Sequence, residues 1–488
     1  MVTGKRALVA MTVGALAVVG ITAASGVSAS ETGAGGATVT VTETATAGPD
    51  SASFTAHLTA SEFTADLLQR FGWEARSLLP VAPALADYLG YALAHSPAVA
   101  AALANWQADG EVGAQASALP DPRFSWGEML VPVQTRTGPQ QRIFSLSQTL
   151  PWFGKQSLRG KIADEQAAAA EARLVGVVLD VLFRVRRAYY DLAYLGEAVR
   201  ITDRHLALVG QWEVVARARY AAGAGRFADM LKAQVEHAQL TDRFAELTDA
   251  RRPAAAELNA ALGRPATAPI NWPVTLPATA HAVAEDSLVA ALLQRQPQLV
   301  ALTHEEQSTG YAASLAGRQR YPDVTLGIDY IMTGESTIPA TPDSGQDPVI
   351  ARLAINVPLW WGKYAAAERE AAGRQRALEA ARRDVTVGLQ ARLERVRFEH
   401  REAVRTVDLY GGSLLLKGQQ ALDAVTAAYE TGEADFLDIV EAQQTLLGFE
   451  LTEARARADR LISLARIEQL IAGPAPTLTA TSYEPGAR

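Results

Sequence analysis

An internal repeat with an offset of roughly 200 residues constrains the fold of this chain more than any other feature. A helical stretch rich in Ala and Leu opens at Pro97 in the first copy and at Pro297 in the second. Proline fits the first turn of a helix, so both positions predict a helix start. The offset is far longer than the units of about 20–50 residues that build solenoids. The sequence therefore predicts two large related halves in tandem.

Two further landmarks fix the register of the repeat. Alternating segments end in the similar phrases LSQTLPWFGK (residues 146–155) and LAINVPLWWGK (residues 353–363). The pattern Tyr-x-x-Gly-x-x-x-Phe-x-Asp, followed by Ala-Gln, begins at Tyr220 and again at Tyr429. General similarity between alanine-rich helices would explain the shared Ala and Gln. It does not explain Tyr, Gly, Phe and Asp at identical spacing.

Long helices are predicted in both copies. From Lys155 to about Tyr220 the chain has no proline and few glycines. At ~1.5 Å per residue such a helix is about 100 Å long. A similar run extends from Lys363 to about Tyr429, and shorter return helices follow at about 226–262 and 433–472. Helices of this length need lateral partners, so we predict antiparallel coiled-coil hairpins.

Glycines mark the turns of these hairpins. Gly223 and Gly432 each stand between a long helix and its return helix. Glycine is the usual residue at the end of a helix, where the backbone adopts a left-handed conformation. Both positions therefore predict hairpin turns.

Four segments alternate between apolar and polar residues, at about 123–131, 143–150, 323–332 and 350–357. Alternation predicts strands with one apolar and one polar face. Their lengths approach the ~9–11 residues of a tilted membrane strand. A soluble antiparallel sheet with one wet face gives the same pattern, so alternation alone leaves both interpretations open. The connecting segments 131–142 and roughly 333–349 are predicted to be loops.

Two observations favour the membrane interpretation. Residues 1–29 have the basic start, the apolar stretch and the small-x-small end of a secretory signal peptide. Aromatic residues follow the second strand of each pair, where an interfacial girdle would lie. These residues are Trp152, Phe153, Trp360 and Trp361.

The number of strands then predicts an oligomer. The smallest membrane barrels have about eight strands, and lipid does not tolerate open sheet edges. Four strands per chain therefore require several chains to share one barrel.

Composition narrows the class of protein further. The net charge of -8 argues against nucleic acid as the main partner, because phosphate binding needs a basic surface. The absence of cysteine excludes disulfides, thiolate metal sites and an acylated cysteine anchor. We assign the repeat copies to 83–264 and 282–472, with a proline-rich linker at 265–281. Segments 30–82 and 473–488 are predicted to be flexible.

Taken in order, the signal, helix, strand pair, Pro-aromatic-Gly-Lys phrase, long helix, Tyr-x-x-Gly turn and return helix resemble the TolC-like outer-membrane factors. The resemblance spans about residues 85–472 and looks closest to the branch that serves heavy-metal and drug efflux pumps of the resistance-nodulation-division type. It implies a mainly α chain with a small β part. Three chains would form a homotrimer with a twelve-stranded barrel and an α-helical tunnel.

The resemblance also implies location and partners. The barrel would lie in outer-membrane lipid and the tunnel in the periplasm. The tunnel would meet a periplasmic adaptor (membrane fusion) protein and an inner-membrane efflux pump. The chain would then be a passive exit duct for small solutes, either metal ions or drugs. Many relatives carry an acylated cysteine that is missing here, so anchoring would depend on the barrel.

Three acids at the second turn are the candidate channel constriction. Asp435, Asp438 and Glu441 are three residues apart, which places them on neighbouring turns of one helix face. The resemblance matches Asp438 and Glu441 to acidic positions that narrow the periplasmic entrance. In a trimer they would form carboxylate rings, which concentrate cations. An ordinary solvated acidic face is the alternative. The first copy retains Asp229 but has Lys232 in place of Glu441.

The resemblance further implies that the hairpin tips contact the adaptor, which singles out Gly223, Arg226, Gly432 and Glu433. No catalytic constellation, cofactor site or metal site is visible, and we do not expect an enzyme. His304 beside Glu305 and Glu306 comes nearest to a metal cluster, but adjacent residues do not share a helix face.

Two other functions fit parts of the pattern. A soluble periplasmic coiled-coil adaptor or scaffold would explain the signal and the long helices, but explains the paired strands and their aromatic ends less well. A type I protein secretion channel would share the whole architecture.

Overall fold

The structure, a computed structural model, describes residues 78–152, 154–272, 276 and 287–475. The predicted signal peptide at 1–29, Phe153, most of the two terminal segments and part of the linker lie outside the described residues. Among the described residues, no helix has both the length and the apolar character that crossing a bilayer requires.

Each half of the chain has the same order of elements. The first half contains α1 (Leu85–His95), α2 (Pro97–Ser117), β1 (Arg123–Thr135), β2 (Gly138–Leu150), α3 (Lys155–Ala221), α4 (Phe227–Asp249) and α5 (Arg251–Ala261). The second contains α6 (Leu288–Arg295), α7 (Pro297–Arg318), β3 (Val324–Thr333), β4 (Val349–Ile355), α8 (Trp361–Leu409), a π-helical turn (Tyr410–Leu414), α9 (Leu415–Thr431) and α10 (Phe436–Leu470). The prediction of a mainly α fold with a small antiparallel sheet is confirmed.

The four strands form one antiparallel sheet in the order β1-β2-β3-β4. Phe124 lies opposite Leu146, which lies opposite Ile328, so apolar residues line up on one face. On the other face, the hydroxyl oxygens of Thr149 and Thr325 are 3.0 Å apart. The apolar face is exposed in the single chain. Its exposed large side chains include Phe124, Trp126, Leu146, Leu326, Ile328, Tyr330, Leu353 and Ile355.

The first strand pair is longer than predicted. β1 runs to Thr135 and β2 starts at Gly138, so most of the predicted loop at 131–142 is strand. The backbone makes this possible because Gly138 has a φ of +136°, and a side chain there would collide with the carbonyl oxygen of Gly334. Polar residues break the alternation in this extension. The pairing of β1 with β2 shifts register between Glu128 and Val133 and then resumes from Val133 to Thr135. The sequence pattern therefore ended before the strand did.

The second strand pair lies close to its predicted bounds. β4 ends at Ile355, two residues before the predicted end. The side-chain oxygen of Asn356 accepts a hydrogen bond from the backbone N–H of Asp323, at the point where the ladder between β3 and β4 stops. An asparagine side chain that competes for a backbone donor commonly ends a regular element.

The helices next to the sheet pack in the order α2, α3, α7, α8. Farther along, α3 packs against α4 and α10, and α10 packs against α8 and α9. The largest core cluster draws on α1, α2, α3, α5 and α10 and contains Leu174 and Leu192, both fully buried. Helices α2 and α8 therefore lie at the two edges of the single chain. Between Trp361 and Gly388, only Ala371 is buried.

The first return helix is interrupted. We predicted one helix over 226–262, but α4 ends at Asp249 and α5 begins at Arg251. Pro253 has no N–H group to donate to the carbonyl of Asp249, four residues earlier. The missing hydrogen bond explains the break.

The second long helix also departs from the prediction of a continuous helix. Lys363 follows Lys155 by 208 residues, whereas Tyr429 follows Tyr220 by 209. The second copy thus carries one extra residue between these landmarks. The π-helical turn Tyr410–Leu414 lies in this interval, and a π-turn accommodates a single inserted residue within an α-helix. The helix therefore keeps its packing register on both sides.

Candidate functional site

The two hairpin turns are built in the same way. Gly223 has a φ of +74° and Gly432 a φ of +86°, the left-handed conformation that favours glycine. Each glycine N–H donates to the carbonyl of the motif tyrosine, at 3.0 Å for Tyr220 and 3.2 Å for Tyr429. The following N–H groups donate to Arg219 and Ala428, which completes a Schellman motif in both turns. The predicted hairpin turns at these glycines are present.

The tyrosine and phenylalanine of the repeat motif contact each other across each turn. The ring centroids of Tyr220 and Phe227 are 5.4 Å apart, and those of Tyr429 and Phe436 are 5.8 Å apart. Phe436 is fully buried, whereas Phe227 is half exposed. The ring contact explains why both residues recur at the same spacing.

The three predicted constriction acids lie at the start of α10 and have different roles. Asp435 is the N-cap residue of the helix. A carboxylate oxygen of Asp438 accepts the Asp435 N–H at 2.9 Å, so Asp438 takes part in helix capping while remaining exposed. Glu441 is exposed and pairs with no cation among the residues that the structure describes. Of the three acids, only Glu441 has a carboxylate that neither caps the helix nor pairs with a described cation.

Arg226 joins the two hairpins. Its Nε donates to Asp229 at 3.3 Å, and its terminal NH2 donates to Asp435 at the other turn. Hydrogen bonds raise the pKa of Arg226 above its ordinary value, the bond to Asp229 more than the bond to Asp435. The Arg219 guanidinium also lies 4.8 Å from the ring centre of Tyr429. The two tips are therefore held together by cations of the first hairpin.

We predicted Arg226 only as an adaptor contact, and its pairing with Asp435 was missed. A signal was available, because Arg226 and Asp435 occupy equivalent positions of the repeat, three residues after Gly223 and Gly432. Opposite charges at equivalent positions of two adjacent hairpins favour a pair between them. Glu433 is exposed at the second tip.

Beyond the turns, a cluster of polar side chains, with Gln443 and His205 buried, links α3 to α10. The Gln443 side chain approaches His205 Nδ1 at 3.1 Å, and His205 Nε2 lies 3.4 Å from Glu450. Arg204 lies 3.0 Å from the same carboxylate. If Gln443 donates to Nδ1, Nε2 carries the proton and donates to Glu450. The repeat motif predicted Gln443 as a landmark but not this role.

The surroundings of Glu450 lead us to expect that the stability of the helices depends on pH. Burial opposes its ionisation, but the hydrogen bond with His205 and the charge of Arg204 outweigh burial and hold its pKa below the ordinary value. A depressed pKa contributes stability above the unfolded pKa of about 4.3, and this stability is lost as pH falls through the folded pKa.

We therefore expect Glu450→Gln to lower the free energy of unfolding by about 1–2 kcal/mol at pH 7, a figure reduced by partial exposure. The difference from wild type should shrink below about pH 4. Urea unfolding followed by helical circular dichroism measures both values. Glu433→Gln, at an exposed site, is the control. An equal loss at pH 7 and at pH 3.5 would contradict the prediction.

The aromatic residues predicted for the membrane interface are exposed where the structure describes them. Trp152 is 50% exposed, Trp360 76% and Trp361 65%. Trp152 and Trp360 lie between the sheet and the long helices, and Trp361 is the first residue of α8. Phe153 lies outside the described residues.

The acids around His304 do not converge. His304 Nδ1 lies 2.8 Å from Glu165 of α3, and Glu305 pairs with Arg173. Glu306 pairs with Arg382 of α8 at 3.1 Å. His304 and Glu305 therefore contact different residues of α3, and Glu306 faces α8. Within the described ranges, no group of three or more His, Cys, Asp and Glu residues could hold a metal ion.

The outer membrane efflux protein family matches residues 88–264 and 288–473, which together make up most of the chain. This chain belongs to that family. The resemblance to TolC-like outer-membrane factors is thereby confirmed. Membership also confirms the outer-membrane location, the periplasmic helical tunnel, the homotrimer and the work with an adaptor and an inner-membrane pump. The channel, and not the alternative of a soluble scaffold, therefore accounts for the long helices.

Individual relatives agree with the family. This outer membrane efflux protein is 24% identical to the cobalt-zinc-cadmium resistance protein CzcC of Cupriavidus metallidurans over 335 residues, which cover 68% of this chain and 76% of the relative.

Solved structures show the same fold. The outer membrane protein VceC of Vibrio cholerae matches with a TM-score of 0.66 and 19% identity, covering 80% of this chain and 96% of its own. The open state of the MtrE channel of Neisseria gonorrhoeae matches with a TM-score of 0.63 and 18% identity, covering 81% of this chain and 91% of its own.

Proposed function

We propose that this outer membrane efflux protein is the exit duct of a metal-cation efflux system, with its constriction at Asp438 and Glu441. The observation that carries the proposal is the pair of exposed carboxylates on the first turns of α10, beside the hairpin turn. A relative named for cobalt, zinc and cadmium resistance supports the choice of metal cations over drugs.

The electrostatics of three chains favour cations. Each chain would bring one Asp438 and one Glu441 to the entrance, so six carboxylates would surround the passage. Rings of acidic side chains concentrate cations and repel anions. Asp435 is a weaker contributor because Arg226 neutralises it. The first hairpin brings Lys232 where the second brings Glu441, so the negative charge is concentrated at the second hairpins.

The remaining predicted sites fit this duct. We assign the exposed tip residues Gly223, Gly432 and Glu433 to the adaptor contact, together with the outer surface of Arg226. Trp152, Phe153, Trp360 and Trp361 are assigned to the membrane interface. The proposal gives the chain no catalytic step, since the family consists of channel proteins.

The double variant Asp438→Asn with Glu441→Gln tests the constriction. Asparagine keeps an acceptor for the Asp435 N–H, so the helix cap is preserved while the charge is removed. We expect the preference for cations over anions to fall several-fold, measured from reversal potentials across planar bilayers in asymmetric potassium and zinc chloride.

Lys232→Gln provides the matched control at the equivalent position of the first hairpin. It removes one charge per chain without touching the acids, and it should not reduce cation preference. Unchanged selectivity and conductance in the double variant, with trimers intact on gels, would show that these acids do not form the constriction.

A further inference from the structure

One ion pair fastens the strand-to-helix junction inside the chain. Lys155, the first residue of α3, is 4% exposed. Its Nζ donates to the Tyr321 carbonyl at 2.7 Å and to Asp323 at 2.8 Å. The N–H of Trp152 also donates to Asp323, at 3.2 Å. The residues that leave β2 are thereby fixed to the residues that enter β3.

The repeat supplies a second lysine and a second aspartate of the same kind. Lys363 ends the second Pro-aromatic-Gly-Lys phrase, as Lys155 ends the first. Asp121 follows Pro120 just before β1, as Asp323 follows a proline just before β3. Lys363 and Asp121 are both exposed, and neither forms an ion pair with a residue that the structure describes.

The strand order places these two residues at opposite edges of the sheet. Pairing of β2 with β3 is what brings Lys155 beside Asp323. Among the residues that the structure describes, β1 and β4 each have a partner strand on one side only. When a ring of chains closes, β4 of one chain pairs with β1 of the next. The same geometry then brings Lys363 beside Asp121 of the next chain.

We propose that Lys363 and Asp121 of adjacent chains form an ion pair that joins the chains at the strand-to-helix junction. The occupant of this edge is a second copy of the same chain. The inference depends on the homotrimer and not on the cargo assigned above.

The edge helices support the same arrangement. Inside the chain, α3 packs closely on α7 through Ala169, Ala172 and Ala301. Their counterparts α8 and α2 are the two edge helices, and of residues 361–388 on α8 only Ala371 is buried. Packing of α8 on α2 of the next chain would repeat the α3–α7 contact.

Helix electrostatics give an independent reason for a partner. A cation in the first turn of a helix is unfavourable, because the N-terminus carries partial positive charge. Asp323 offsets this effect for Lys155. Among the described residues, the side chain of Lys363 contacts only the ring of Tyr364, whose centre is 5.8 Å from its Nζ. The second phrase is one residue longer than the first, and α8 begins two residues before Lys363. The long lysine side chain accommodates this difference.

Charge reversal tests the pair in the full-length trimer. We expect Lys363→Glu and Asp121→Lys each to lower the temperature at which trimers dissociate in SDS gels. Combining the two should restore most of the loss, since the pair is then present with reversed sign. Lys417→Glu, at an exposed site on α9, is the control for charge alone. Additive losses in the double variant would overturn the proposal.

Cross-linking tests the contact even if charge reversal impairs assembly. The chain has no cysteine, so Lys363→Cys with Asp121→Cys introduces the only thiols. A short bismaleimide should then give bands of two and three chains on denaturing gels. Lys155→Cys with Asp323→Cys calibrates the reagent and should give an internal link at single-chain mass. Lys363→Cys with Glu111→Cys is the mismatched pair. If trimers of the Lys363→Cys with Asp121→Cys variant react with the bismaleimide but give only single-chain bands, the proposal is overturned.

The outcome is separable from the test of the constriction. Loss of cation selectivity in the Asp438 and Glu441 variant does not depend on the junction. Cross-linking at the junction does not depend on what passes through the duct.

Discussion

Replacing Arg226 with glutamate is expected to raise the single-channel conductance several-fold and to hold the entrance open. Arg226 binds Asp229 on its own hairpin and Asp435 on the other, so it holds the two tips together. The introduced carboxylate would face these two acids, and like charges at this distance repel. The second hairpin would then be free to move away from the first. Recordings in planar bilayers without adaptor measure the effect.

Arg217→Glu is the matched control for this prediction. Arg217 lies on α3 of the same hairpin and pairs with Glu213 four residues earlier, so the same charge change breaks no link between hairpins. If Arg226 served only to contact the adaptor, its reversal would leave conductance in a pure bilayer unchanged. Equal conductance of the two variants would therefore count against the link.

Deleting one glycine from the second long helix is expected to be tolerated at Gly412 and to prevent trimer formation at Gly388. Removal of Gly412 takes the extra residue out of the π-helical turn and should leave a regular α-helix with the same register on both sides. Removal of Gly388 rotates the following segment by about 100°. Leu389 and Leu393, both buried, would then leave their cluster.

Heat stability of the trimer on gels measures the difference. We expect trimers of the Gly412 deletion to dissociate within a few degrees of the wild type and trimers of the Gly388 deletion to be absent. Both glycines lie within helical segments, neither is buried, and an added side chain would meet no neighbour at either position, so the deletions are matched. Loss of trimer in both deletions would mean that the π-turn does more than absorb an inserted residue.

The repeat predicted more of the fold than composition or periodicity did. Tyr-x-x-Gly at identical spacing located both hairpin turns, because the Schellman motif is a local structure encoded by a few adjacent residues. The alternation located the four strands for a similar reason. The extension of β1 to Thr135 was missed because its continuation depends on backbone pairing near Gly138, not on an apolar pattern. The π-turn corresponds to the change of offset from 208 to 209 between two landmarks of the repeat, a signal that the prediction of a continuous helix did not use.

The candidate site was predicted less completely than the fold. Spacing placed Asp435, Asp438 and Glu441 on one end of a helix, but it could not distinguish their roles. Asp435 and Asp438 cap α10, which is a local property of its first turn. The pairing of Arg226 with Asp435 spans 209 residues, and the contact of His205 with Gln443 spans 238. Such contacts depend on which helices are neighbours, and a single sequence does not specify that.

The open edges of the four-stranded sheet have a consequence for biogenesis. A chain that has not yet met its partners presents unpaired backbone groups along β1 and β4, next to a face that exposes Phe124, Trp126 and Leu353. Edges of this kind are templates for pairing with any other extended chain. During maturation, correct association therefore competes kinetically with aggregation, and a higher rate of synthesis accelerates both processes. Holdase chaperones that cover apolar strands during transit would favour the productive route.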